Sequence, residues 1–212
     1  MVTQVIKYVL QRLFPNSFIL GRIRKCDGVI LTFDDGPHPK HTPLILAELA
    51  RREIKAVFFV SGIELEKYPE LGRLIVEQGH LLGNHTFEHP DIKHCSLTEY
   101  KQSVNRAEQL IELACSGRDY RRLFRPPYSS FSLEMLSYFF FSDYLLLNWN
   151  VDSRDSFILN ADELVEYVSS LPIRSGDILL FHEDYAQTVA ALPAILEFFQ
   201  SREQRFVLPG KS

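Results

Sequence analysis

Gly28-Val29-Ile30-Leu31-Thr32-Phe33-Asp34-Asp35-Gly36-Pro37 is the stretch from which the fold is read. An apolar run of strand length ends abruptly in two carboxylates and a Gly-Pro turn. A continuous apolar run, without polar alternation, predicts a strand buried on both faces, as in a parallel sheet covered by helices. Downstream, Thr42-Pro43 predicts a helix to about Glu53, with Thr42 as N-cap and Pro43 in the first turn. Ala56–Val60 reads as a second strand. Pro69–Gln78 is a helix stopped by Gly79, and His80–Gly83 a short strand. Ser96-Leu97-Thr98-Glu99 is a capping box that opens a helix to about Cys115. Further strands are predicted at Leu123–Arg125, Tyr144–Trp149, Asp177–Phe181 and Phe206–Leu208. Helices are predicted from Ser132 to about Phe140, from the cap Asn160 to Ser170, and over Gln187–Gln200. Strand and helix alternate about seven times, which predicts an α/β protein with a parallel sheet. An open doubly wound sheet and a closed (β/α) barrel both fit this periodicity.

The chain has 212 residues, 46% hydrophobic and 24% charged, and no low-complexity linker, so one soluble globular domain is expected over residues 28–212. A net charge of −4 excludes nucleic acid as the main partner, because phosphate binding needs a basic surface. Cys26, Cys95 and Cys115 form no CxxC motif and read as free thiols of a reducing compartment. Residues 1–27 form a lead-in that contains Lys7, Arg12, Arg22, Arg24 and Lys25. Val2, Val5, Ile6, Val9, Leu10, Leu13 and Phe14 make a helical apolar stripe there. The stripe lacks the form of a secretory signal and is too short and charged to span a bilayer. It predicts a helix that covers one end of the domain. A second reading is peripheral contact of residues 1–14 with an anionic membrane surface, which would place a cytoplasmic protein at the inner face.

Unusual polar clusters follow the carboxyl ends of the predicted strands, where active sites form in barrels and open parallel sheets alike. Asp34-Asp35 pairs two carboxylates that repel unless a cation is near; the same residues also suit a solvated turn. His85-Thr86-Phe87-Glu88-His89 sets two imidazoles at i and i+4, on one face of a helical turn, a spacing that lets both bind one metal. Glu88 reads as an orienting surface residue. In Arg125-Pro126-Pro127-Tyr128, Pro127 and its neighbour stiffen the chain and aim Arg125, which would hold Asp34 ionised. Trp149-Asn150-Val151-Asp152-Ser153-Arg154-Asp155 adds carboxylates after a strand, and Trp149 and Pro127 are candidates for the substrate side. His182, beside Glu183 and Asp184, suits a general acid whose pKa is raised by carboxylates.

In this order, TFDDGP, HTxxH, RPPY, a D-x-x-D segment and L-x-H resemble the polysaccharide deacetylase family, carbohydrate esterase family four, from about Gly28 to Leu208. The resemblance implies a distorted (β/α) barrel of about seven strands. It implies Asp35, His85 and His89 as ligands of a divalent metal, zinc foremost. It implies Asp34 as the base that activates a metal-held water for attack on an acetamide, and His182 as the acid that protonates the departing amine. Arg125 would orient Asp34, Asp155 would tune His182, the Tyr128 backbone N–H would hold the oxyanion, and Leu180 would line the acetyl pocket. The implied reaction is removal of N-acetyl groups from N-acetylhexosamine units of a glycan or glycan precursor. Three positions depart from the family pattern: Ser129 where Gly is frequent, Ser156 where Trp is frequent, and Glu183 where Asp is frequent. They leave room for a non-sugar amide as substrate, or for a metal-bearing carbohydrate-binding protein without activity.

Overall fold

The computed structural model describes residues 12–14, 18–19, 21–23 and 26–210, so most of the amphipathic helix expected over residues 1–14 lies outside the described residues. Its core is one sheet of eight strands: β1 (Phe18–Ile19), β2 (Ile30–Asp34), β3 (Val57–Val60), β4 (Leu81–Asn84), β5 (Leu123–Phe124), β6 (Leu145–Leu147), β7 (Val151–Asp152) and β8 (Ile178–His182). Their order is β1-β6-β5-β4-β3-β2-β8-β7, and every pairing is parallel. The helices are α1 (His41–Arg51), α2 (Gly62–Lys67), α3 (Pro69–Glu77), α4 (Leu97–Cys115), α5 (Leu133–Phe140), α6 (Ala161–Ser170) and α7 (Ala186–Ser201). The sheet curls into a distorted part-barrel with helices outside. No described helix is long and apolar enough to cross a membrane.

The apolar strands follow from burial on both faces. Ile30, Val57, Phe59, Leu123, Leu145, Leu147 and Ile178 point inward and form the barrel interior. The alternate residues Leu31, Phe33, Phe58, Val60, Leu179 and Phe181 point outward under helical side chains such as Ile45, Leu49, Ile111 and Leu192. A third cluster lies around β5 and β6, where Phe124 stacks on Phe139 at 4.0 Å between ring centroids. Thr32 and Asp34 alternate with Ile30 on the inner face of β2, so the period of two carries polar groups up into the barrel mouth.

Most caps fall where the residue types place them. Ser96 and Glu99 form the reciprocal capping box of α4, and the Asn160 side chain accepts from the Asp162 and Glu163 amides. Gly79 takes a φ of 81° just past α3. Four local expectations change. Thr42 is not the cap of α1: Lys40 precedes the helix, and the Thr42 hydroxyl is buried, accepting from the His38 amide at 2.8 Å and donating to Glu183. The expected strand over Tyr144–Trp149 is shorter and is followed by β7, whose approach is held by Asn150 hydrogen bonds to Asp177 and the Ile178 amide. Phe206–Leu208 makes a single bridge, Val29 to Phe206, instead of a strand. Before residue 28, β1 pairs with β6, so the sheet begins upstream of the boundary read from the sequence.

Candidate active site

The carboxyl ends of β2, β4, β5, β7 and β8 converge, and each delivers one polar group or pair. Strand alternation alone would send Asp34 and Asp35 to opposite faces. Asp35 escapes it by turning left-handed at φ 70°, while its amide stays bonded to Phe59 O at 3.1 Å. Asp34 remains in the strand and points into the barrel, buried.

His85 and His89 lie in a loop after β4, and this corrects the helical turn expected from their spacing. Thr86 (φ 69°) and His89 (φ 56°) are both left-handed. The loop is pinned from outside: the Asn84 side chain accepts from the Thr86 amide, and the Ser103 hydroxyl accepts from the Phe87 amide. Glu88 accepts the Ser103 hydroxyl at 2.5 Å, so it braces the loop as an orienting residue. The result brings the two imidazole rings to 4.9 Å, with Nε2 of His85 and of His89 at 3.6 and 3.3 Å from Asp35 Oδ1. One ligand atom from each of Asp35, His85 and His89 lies within 4.8 Å of the others. The His85 Nδ1–H donates to Arg125 O at 2.8 Å, which leaves the Nε2 lone pair facing Asp35. Burial pushes His85 down to about 3, against the pull of Asp35, so its imidazole is neutral as a metal ligand must be. Two imidazoles and a carboxylate suit zinc and neighbouring transition ions, and three protein ligands leave positions open.

Arg125, directly after β5, is fully buried in the barrel. Its Nη1 donates to Asp34 Oδ1 at 2.6 Å and to Thr32 Oγ1 at 2.8 Å, its Nε donates to Leu147 O, and its guanidinium lies 4.1 Å from the Phe59 ring centroid. Burial raises the Asp34 carboxyl above the ordinary carboxylate range, while Arg125, His182 and His89 pull it down. The other Asp34 oxygen, Oδ2, is 3.7 Å from His85 Nε2.

His182 ends β8 in register with Asp34. Its Nδ1–H donates to Asp155 Oδ1 at 2.8 Å, and its amide donates to Asp155 Oδ2 at 2.7 Å. Asp155 is fully buried, and its Oδ2 also accepts the Thr188 hydroxyl. Burial works against a charged imidazole, but Asp155, with Asp34 and Asp35 behind it, outweighs burial and raises His182 to about 9. A raised histidine stabilises the fold fully below its unfolded value of roughly 6.5, and the contribution fades as pH rises through about 9. The stability difference between wild type and His182→Gln, read by urea unfolding of the metal-free protein, is therefore expected to shrink from pH 6 to pH 9.5, by on the order of 3 kcal/mol. A difference that stays constant across that range would remove the charged pair from the account.

Tyr128 and Ser129 are left-handed, at φ 57° and 48°. Tyr128 is exposed and sets its ring edge-on to His89 at 4.7 Å. Ser129 bears the conformation that glycine adopts without steric cost, and its hydroxyl donates to the Asn148 side chain at 2.9 Å. Pro127 is buried beneath them. Leu180 is buried in register with Thr32, one inward layer below His182. Trp149 is not brought to the Asp35 cluster. It packs on the barrel interior and lines a groove of about 510 Å³ with Arg22, Tyr167 and Asp177, and Asp177 stands at the amino end of β8, away from His182. Thr32, Thr188 and Asn148 hold site groups without having been singled out in the sequence; Thr32 was legible as the inward neighbour of Asp34 at a spacing of two.

A family model for polysaccharide deacetylase matches residues 21–139. A chitooligosaccharide deacetylase of Sinorhizobium fredii is 34% identical over 188 residues, covering 82% of this chain and 86% of the relative. A peptidoglycan-N-acetylglucosamine deacetylase of Bacillus cereus is 30% identical over 203 residues, 93% of each chain. Among solved structures, the Bc1960 peptidoglycan N-acetylglucosamine deacetylase is similar with a TM-score of 0.84 at 27% identity, over 93% of this chain and 92% of that one. A CE4 family pseudoenzyme from Bacillus anthracis is similar too, with a TM-score of 0.80 at 25% identity, over 90% of this chain and 66% of that one. Motifs, fold and relatives agree: the chain belongs to the polysaccharide deacetylase family.

Proposed function

We propose that the protein is a metal-dependent hydrolase that removes N-acetyl groups from N-acetylglucosamine units of a glycan or glycan precursor. The observation that carries this reading is the juxtaposition of the Asp35–His85–His89 cluster with two separately tuned proton carriers, Asp34 on Arg125 and His182 on Asp155. The three ligands would hold a divalent ion, with zinc the best match to the donor set, and that ion would supply Lewis acidity at the acetamide carbonyl.

The chain's own residues do the rest. Arg125 fixes one Asp34 oxygen and leaves the other to accept a proton from the attacking water. Burial makes Asp34 a stronger base than an exposed aspartate. His182 carries a proton at neutral pH because its Nδ1 is committed to Asp155, and its Nε2, which makes no hydrogen bond among the described residues, would give a proton to the departing amine. One group raised by burial and one raised by carboxylates divide the base and acid roles. In this reading the Tyr128 backbone N–H would face the oxyanion, and Leu180, buried one layer below His182, would wall the acetyl methyl.

The fold also carries a pseudoenzyme, so activity needs its own test. Acetate release from N-acetylglucosamine oligomers and peptidoglycan fragments is expected from zinc-loaded protein, to vanish on chelation and to return with added metal. Saturable glycan binding without acetate from any substrate would instead favour a binding protein.

A further inference from the structure

Glu183 follows the acid His182 and takes no part in the steps above, yet it is fully buried against the turn that carries Asp35. Three of its groups reach two different elements. Its amide donates to Asp34 O at 3.0 Å. Its carbonyl accepts from His41 Nδ1 at 2.8 Å, on the first turn of α1. Its carboxyl accepts the Thr42 hydroxyl through Oε2, and the Thr42 hydroxyl in turn accepts the His38 amide at 2.8 Å. Oε1 makes no hydrogen bond among the described residues and lies against Gly36, where any Cβ would collide with it.

We propose that Glu183 is a positioning residue for the metal site, whose carboxyl, wedged between Gly36 and Thr42, fixes the left-handed turn that presents Asp35. This rests on the reading of Asp35, His85 and His89 as metal ligands. The far side of the same turn is already tied to β3 by the Asp35 amide on Phe59 O, and to Ser61, just past β3, by the Ser61 amide on Gly36 O at 2.9 Å. Glu183 closes the near side. Without its carboxyl, the turn keeps its β3 bonds but gains a void beside Gly36, and Asp35 can swing from the two imidazoles. Removing a group that orients a ligand in this way typically costs about 10–100-fold in metal affinity. A glutamine would preserve the wedge, because Oε2 only accepts from Thr42, and the burial that lifts Glu183 to about 8, with Asp35 and Asp34 adding to it, favours an uncharged group there.

The test is zinc affinity of the full chain, by competition with a chromophoric chelator, beside kcat, KM and circular dichroism. Glu183→Ala is expected to weaken zinc binding about 10–100-fold and to lower kcat more than it raises KM. Glu183→Gln is expected to recover most of the affinity, and Glu183→Asp, too short to reach Thr42, to behave like the alanine. If Glu183→Ala does not fold, Thr42→Val cuts the same link and is expected to weaken zinc binding in the same direction. Folded Glu183→Ala or Thr42→Val protein that binds zinc as tightly as wild type overturns the positioning role while leaving the metal site intact, even if its melting temperature falls. Wild-type protein that binds no zinc overturns both.

Discussion

Asp34→Asn is expected to slow acetate release by about 10²–10⁴-fold, the range that a general base contributes, while the protein stays folded and keeps its zinc. The split between rate and metal content follows from geometry. The three atoms that cluster for a metal belong to Asp35, His85 and His89, and Asp34 stands beside them with one oxygen committed to Arg125. Asparagine preserves the shape and the oxygen that accepts from Arg125, but it removes the oxygen that takes a proton. The check is kcat on N-acetylglucosamine oligomers with zinc measured in the same samples. Zinc lost in parallel with activity would make Asp34 a ligand instead. Activity within a few-fold of wild type would remove it from the proton-transfer step.

Arg125→Met is expected to destabilise the metal-free protein by about 3–5 kcal/mol, the cost of removing one partner of a buried ion pair. The methionine fits beside Phe59, so the loss is electrostatic and not one of volume. What remains is a carboxylate in the barrel interior, beside the neutral His85 imidazole at 3.7 Å, and Leu147 O without its donor. The penalty should shrink as pH falls, because burial already raises Asp34 and loss of Arg125 raises it further, so acid neutralises the stranded charge. Adding Asp34→Asn to Arg125→Met should recover part of the loss at neutral pH. Urea unfolding of the two single variants and the double variant measures this; independent, additive losses would show that the pair is not coupled.

Legibility varied with how local the determining forces are. β2, β3 and β8 could be read because strands buried on both faces need no alternation: Ile178–Phe181 is an unbroken apolar run, and Val29–Phe33 is interrupted only by Thr32. Ser96 and Asn160 could be read as caps because capping is a matter of a few residues. β1 could not, since Phe18–Ile19 is too short to show a period and becomes a strand only by pairing with Leu146 and Leu147 far along the chain. The site followed the same rule. The spacing of His85 and His89 pointed to a shared ligand position, yet the backbone that achieves it contains two left-handed residues with no glycine to announce them. Which aspartate of the pair faces the histidines was open to spacing, because the answer lies in the φ of Asp35. Trp149 shared a segment with Asp155, but Asn150 beside it is bonded to Ile178 at the base of β8, and the chain then rises as β7 toward Asp155, so the two end at different levels of the barrel.

The pairing of β2 with β8 has a consequence for how the protein is made. The Thr32 hydroxyl reaches the Leu179 carbonyl across 147 residues of chain. At translation rates of about 5–20 residues per second, the edge of β2 that β8 will cover waits on the order of ten seconds for its neighbour to be synthesised. During that wait β2 offers an apolar strand with open amides and carbonyls to any other unpaired edge. Chains stalled or cut before Ile178 would lack more than the acid at His182: they would be the aggregation-prone species of this protein, and folding yield should depend on how quickly the stretch between Thr32 and Leu179 is read.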